Sequence, residues 1–176
     1  MKGMVFTSFM DMIQESYGFD MVDALIDESN LPSKGAYTSV GTYPHTEMVT
    51  LLKLLSEKTK VPIPELLLTY GKYLFKNLIS SYPQMSDRYK SSKELFKALD
   101  GVIHVEVRKL YPDAELPKFR YTELEDGTIQ MHYSSIRHLE DLAEGLLKGA
   151  LKHFGETADM TRANRKDSVI FTISYK

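Results

Sequence analysis

The chain has 176 residues, and 22 Lys and Arg against 24 Asp and Glu leave a formal net charge of −2 with His neutral. That balance gives no electrostatic case for nucleic acid or anionic lipid as a partner, while 43% hydrophobic and 26% charged residues over this length suit a single globular domain, 1–176. Cys is 0, which excludes disulfides, thiolate catalysis, Cys-held iron–sulfur clusters and Cys-containing zinc sites. Chemistry has to come from His, carboxylates, hydroxyls or a borrowed cofactor.

From the N-terminus, Val5, Phe9 and Ile13, flanked by Phe6, Met10 and Tyr17, repeat at helical spacing and predict a helix from Lys2 to Tyr17 that stops at Gly18. A short second helix is expected over Asp20 to Asp27, followed by an extended Ser/Gly/Thr/Pro/Tyr-rich loop from Asn30 to Thr46. Thr46 and Glu47 open a helix that runs through Leu55 and breaks between Lys58 and Pro64. The next helix spans about Pro64 to Ser80, and Tyr82 and Pro83 end it. Ser91 or Ser92 with Glu94 then starts one long helix to about Tyr111, closed by Pro112.

Beyond Pro117 the period changes. Phe119 to Leu124, Thr128 to Ile136 and Ser168 to Tyr175 alternate as strands, with Glu125-Asp126-Gly127 as a hairpin turn between the first two. An amphipathic helix from His138 to Phe154 separates the second strand from the third. The fold class is therefore α+β: a helical N-terminal part followed by an antiparallel sheet with a packed helix. No apolar run reaches the roughly 18 residues of a membrane span, and the apolar stretch from Met4 to Ile13 is broken by Asp11 with no cleavage pattern after it. A soluble, cytoplasmic protein is expected.

Of the 5 histidines, His45, His104, His132, His138 and His153, no two sit in a metal-ligand pattern. His104 differs in context: it lies beside the stripe Leu99, Ile103, Val107 and Leu110, where apolar surroundings favour the neutral, ligating imidazole. One His does not make a protein-only metal site, but it suffices as the axial ligand of a haem, whose macrocycle supplies the other nitrogens. Tyr133, Ser135 and Arg137, spaced by two on the second strand, share one face, and their donors suit a pair of carboxylates such as haem propionates; an ordinary solvated strand face is the alternative. Glu123 with Glu125, and Glu140, Asp141 and Glu144, read as solvated charge runs rather than acid/base pairs. Neither a phosphate-cradling glycine loop nor a nucleophile elbow is present.

Taken together, the Met1-Lys2-Gly3 helix start, Gly101-Val102-Ile103-His104-Val105-Glu106-Val107 and Tyr133-Ser134-Ser135-Ile136-Arg137 resemble the H-NOX family, haem nitric oxide/oxygen binding domains related to the sensor domain of soluble guanylate cyclase. The segments 35–45 and 108–117 resemble bacterial stand-alone members, and the likeness covers essentially the whole chain. It implies the H-NOX fold with haem b (iron protoporphyrin IX) enclosed, His104 as the proximal iron ligand and Tyr133, Ser135 and Arg137 on the propionates. It also implies that Pro117 presses on the macrocycle and that Val5, Phe9, Leu74, Leu78, Leu142 and Leu146 line the distal side.

Family members that bind O2 stably carry a distal Tyr where this chain has Leu142, and Phe9 and Leu74 stand where its polar partners would be. The resemblance therefore implies a sensor of NO at ferrous haem that also takes CO, forms no stable O2 complex, and is not an enzyme. Gas binding would weaken the His104–iron bond, shift the helix and pass the signal to a separate partner, commonly a histidine kinase of a two-component system or a cyclic-di-GMP enzyme. With no room for an output domain in the chain, a separate partner is expected. The different-class alternative, a haem enzyme such as a peroxidase or an NO-consuming oxygenase, would need a distal acid/base that the apolar distal residues do not supply.

Overall fold

Apolar residues at helical spacing wind Gly3–Tyr17 into α1, which buries Phe6, Phe9, Met12 and Ile13 and ends at Gly18, where φ is 86°. The structure, a computed structural model, describes residues 1–176 apart from the side chains of Met85 and Ser86. α2 covers Phe19–Ser29 and α3 His45–Thr59; left-handed Asn30 and Lys60 terminate them. α4 runs Ile63–Ser81 with Pro64 in its first turn, where a missing amide leaves no helical bond unmade. Phe6, Phe9, Ile13, Leu25, Leu51, Leu55 and Tyr70 form the core of this helical half.

Gly3 meets the strap 38–43 at very short range. A Cβ there would lie 1.8 Å from the Thr38 carbonyl oxygen, and the Gly3 amide donates to the Gly41 carbonyl at 2.8 Å. Lys2 pairs with Thr42 in an isolated antiparallel bridge.

A five-residue α5, Pro83–Asp87, precedes α6, Ser92–Ala98, whose Ser91 cap accepts the Glu94 amide at 3.2 Å. The single long helix expected from Ser92 to Tyr111 is interrupted: Leu99–Ile103 is a π-helical segment, and α7, His104–Leu110, continues from it. Composition does not announce the change, because a π turn differs from an α turn only in the carbonyl that each amide selects.

The sheet contains β1 (Lys118–Glu123), β2 (Ile129–Ser134), β3 (Ala158–Asn164) and β4 (Val169–Tyr175), all pairing antiparallel in the order β1-β2-β4-β3. Ile129, Met131 and Tyr133 of β2 and Val169, Phe171 and Ile173 of β4 alternate inward against α8, Glu140–His153. β3 is absent from the expected set of strands. It is an edge strand exposed over most of its length, so it lacks the apolar alternation by which its neighbours are read. β2 stops at Ser134, short of Ile136, and α8 begins at Glu140 rather than His138, because His138 takes a φ of 50° in the intervening turn.

α4 and α8 tie the helical half to the sheet half. A Cβ on Gly71 would lie 2.4 Å from the Leu142 carbonyl oxygen, and one on Gly145 would lie 2.4 Å from that of Leu68, so both positions require glycine for this crossing. Backbone contact at that point sets Leu74 and Leu78 of α4 beside Leu142 and Leu146 of α8 on one wall of a cavity. Among the described residues, no helix is long and apolar enough to cross a membrane.

Candidate functional site

A cavity of about 580 Å³ lies between the two halves, within the roughly 300–1,000 Å³ of small-molecule and cofactor clefts. Leu99, Val102, Ile103, His104 and Val107, from the π segment and α7, form one wall; Val5, Leu74, Leu78, Leu142 and Leu146 belong to the wall built by α1, α4 and α8. Pro117, Phe119, Tyr133, Ser135 and Arg137 complete the lining. A second, polar cleft of about 350 Å³ includes Lys93, Asp126, Glu156 and Tyr175. Lys93 there is paired with Glu123 at 2.8 Å, and Glu156 accepts the Ser92 amide at 3.1 Å.

His104 follows directly on the π segment, and its backbone amide donates to the Leu99 carbonyl five residues back. Nδ1 of the ring lies 3.0 Å from Asp100 Oδ1, the imidazole side chain is 12% exposed, and the Phe119 ring packs against it with centroids 6.0 Å apart. Burial lowers the His104 pKa, Asp100 opposes that shift, and Arg108 adds to it, so the ring is neutral at neutral pH. A neutral ring that donates from Nδ1 keeps its lone pair on Nε2, which is free for a ligand in the cavity. Among the described residues, no group of three or more His, Cys, Asp or Glu could hold a metal ion.

Tyr133 is the last inward residue of β2 and is buried, which raises its pKa and keeps the hydroxyl protonated. Ser135 and Arg137 are not strand residues, since β2 has ended; the turn instead delivers them to the cavity, with the Ser135 hydroxyl accepting the Arg137 amide at 3.2 Å. The Arg137 side chain is 11% exposed, donates from both terminal nitrogens to Glu115, and leaves its buried Nε without a partner. An orphaned donor on a buried cation calls for an anionic acceptor. The lone histidine, apolar walls and unsatisfied guanidinium together fit a haem and its carboxylates.

Pro117, Val5, Leu74, Leu78, Leu142 and Leu146 all reach the cavity. Phe9 does not line it: its ring packs edge-on against Tyr70 at 5.0 Å in the helical core, one layer behind the wall. The Tyr70 hydroxyl is turned away to the Val5 carbonyl oxygen. Asp100, Phe119 and Glu115 were missed by sequence reasoning. Asp100 had a signal, its place one helical turn before His104; the Arg137–Glu115 contact joins residues from separate connections and had none.

The fold and the site define a class, an α+β domain whose interior pocket sets a lone buried histidine and a buried guanidinium against apolar walls. Residues 2–162 match the Haem-NO-binding family model. Among solved structures, the Fe(II) unliganded H-NOX protein from K. algicida is 40% identical, with a TM-score of 0.93 over 100% of this chain and 97% of that one. The IWP-051-bound H-NOX from Shewanella woodyi in the Fe(II)CO state is 42% identical, with a TM-score of 0.88 over 100% of this chain and 95% of that one. The S. oneidensis H-NOX protein in the Fe(II)NO state is 27% identical, with a TM-score of 0.94 over 100% and 99%. Guanylate cyclase soluble subunit beta-2 of Rattus norvegicus is 28% identical over 120 residues, 61% of this chain and 17% of that protein. The chain belongs to the H-NOX family of haem-based gas sensors, and its cofactor is haem.

Proposed function

We propose that this domain senses NO at ferrous haem b, takes CO as well, and discriminates against O2. His104 would hold the iron through Nε2, with Tyr133, Ser135 and Arg137 at the propionates, Pro117 against the macrocycle, and Val5, Leu74, Leu78, Leu142 and Leu146 on the gas side. The haem supplies the iron coordination position that receives the gas. The observation that carries the reading is the buried His104 lining the same cavity as Val5, Leu74, Leu78, Leu142 and Leu146, whose side chains carry no hydrogen-bond donor. O2 on iron gains most from such a donor, and NO gains little. The same lack of a distal acid/base weighs against a peroxidase or oxygenase.

His104 opens α7, so the strength of its tie to the iron biases where α7 sits. A gas that weakens that tie acts as a switch only through different affinities for the two placements. The receiver would be a separate histidine kinase or cyclic-di-GMP enzyme. The resemblance to bacterial family members supports this, as does the exposure of Val105 and Leu110 on α7, where a partner could read the helix position. Electronic spectra of the reduced protein under argon, CO, NO and air test the reading. NO and CO should each shift the Soret band, and air should give no stable O2 spectrum; a protein without a Soret band, or with a persistent O2 complex, would sink it.

A further inference from the structure

Asp100 and His104 meet side chain to side chain, four residues apart across the π turn. Asp100 sits within the π segment, its side chain is 41% exposed, and Oδ1 lies 3.0 Å from His104 Nδ1. Among the described residues, no Lys or Arg forms an ion pair with Asp100, so its carboxylate is committed to the imidazole alone. Backbone geometry holds the two residues together: the His104 amide reaches the Leu99 carbonyl across the π turn, and Phe119 packs against the imidazole.

A carboxylate that accepts the outer N–H of a metal-bound imidazole fixes the ring's tautomer and orientation and raises the basicity of the ligating nitrogen. We propose that Asp100 is a positioning residue that strengthens His104 as an iron ligand and so sets how readily a gas releases it. This rests on the reading that His104 binds the haem iron. With the carboxylate present, Nδ1–H is polarised, Nε2 carries more electron density, and release of His104 is resisted. Asp100 thereby tunes the threshold of the switch without touching haem or gas.

The test uses the full chain loaded with haem, as wild type, H104G, D100N and D100A. Resonance Raman of the reduced, gas-free protein reads the iron–histidine stretch directly. That band should be present in wild type and lost in H104G; its absence from wild type, or its survival in H104G, overturns the reading of the site itself. With that established, D100A should move the band to lower frequency, with D100N between. Haem transfer to apomyoglobin should become about 10-fold faster or more in D100A, and the NO complex should shift toward the five-coordinate Soret position. A band at the wild-type frequency in both Asp100 variants overturns the proposal, even if either variant melts earlier. Should D100A fail to fold, the near-isosteric D100N decides by the same band.

Discussion

Arg137 grips Glu115 through both terminal nitrogens, one 2.7 Å from the backbone carbonyl oxygen and the other 2.7 Å from Oε2. The pair clips the segment before Pro117 to the turn between β2 and α8, and both residues line the cavity. Its two ends are unequal, since the Arg137 side chain is 11% exposed and that of Glu115 72%.

That inequality separates two substitutions. Arg137→Leu removes the buried donor proposed to hold the propionates, and charge-assisted hydrogen bonds of about 1.5–3 kcal/mol correspond to a roughly 10- to 100-fold loss of haem affinity. Glu115→Gln alters a mostly solvated carboxylate whose ion pair contributes about 0–1 kcal/mol, so its affinity should stay close to wild type. Haem transfer to apomyoglobin ranks the variants; equal rates for both would show that the guanidinium has no role in holding the cofactor.

The crossing of α4 and α8 leaves no space for a methyl group. Gly145→Ala would bring a Cβ to 2.4 Å from the Leu68 carbonyl oxygen, and backbone cannot swing aside as a flexible side chain can. Overpacking of this kind costs about 1–3 kcal/mol, and a chain of this size loses roughly 2–4 °C in Tm per kcal/mol. Calorimetry should therefore show a lower Tm, and parting of the helices should shift the Soret band of the CO complex through Leu142 and Leu146. An unchanged Tm would mean that the helices separate freely.

How much of this arrangement shows in the sequence depends on whether a residue acts through a repeat or through a long-range contact. His104 stands out because its apolar neighbours recur at helical spacing, and β2 and β4 because inward residues alternate. Ser135 and Arg137 reach the cavity by a different route from the expected one, since their spacing of two continues past the end of the strand into a turn. β3 presents too little buried apolar surface to be read, and the π segment is a matter of hydrogen-bond choice rather than composition. Phe9 has the right helix and the wrong layer: periodicity identifies a buried face but does not say whether a cavity or another ring covers it.

Lys2, Thr42 and Asp113 join the N-terminus to the segment after α7. Thr42 Oγ1 donates to Asp113 at 2.6 Å, Lys2 Nζ donates to Thr42 at 2.8 Å, and the ammonium sits 4.8 Å from the centre of the Tyr111 ring. The Thr42 hydrogen bond leads the effects that hold the Asp113 carboxyl below its ordinary value of 3.8, with Lys2 adding to it. A carboxyl depressed in the folded state favours that state above the unfolded value, and the benefit disappears as pH falls through the folded value. Amide exchange at Gly3 and Tyr43, whose N–H groups bond to Gly41 and Met1, should therefore accelerate selectively below about pH 4. Asp113→Asn should exchange faster at neutral pH and lose that acid dependence; identical profiles would remove Asp113 from the latch.

Leu142 offers the most direct test of gas discrimination. Its side chain faces the cavity beside Leu74 and Leu146, and the Tyr70 hydroxyl is committed to the Val5 carbonyl oxygen. Leu142→Tyr would place a phenol donor in the space that the leucine now borders. A neutral donor hydrogen bond is worth about 0.5–1.5 kcal/mol net, or roughly 2- to 13-fold in an equilibrium constant. The reduced variant in air should accordingly hold O2 measurably longer before oxidation than wild type, while its affinity for CO changes less. If Leu142→Tyr oxidises at the wild-type rate with no detectable O2 spectrum, the proposed role of this donor-free wall in discriminating against O2 is overturned.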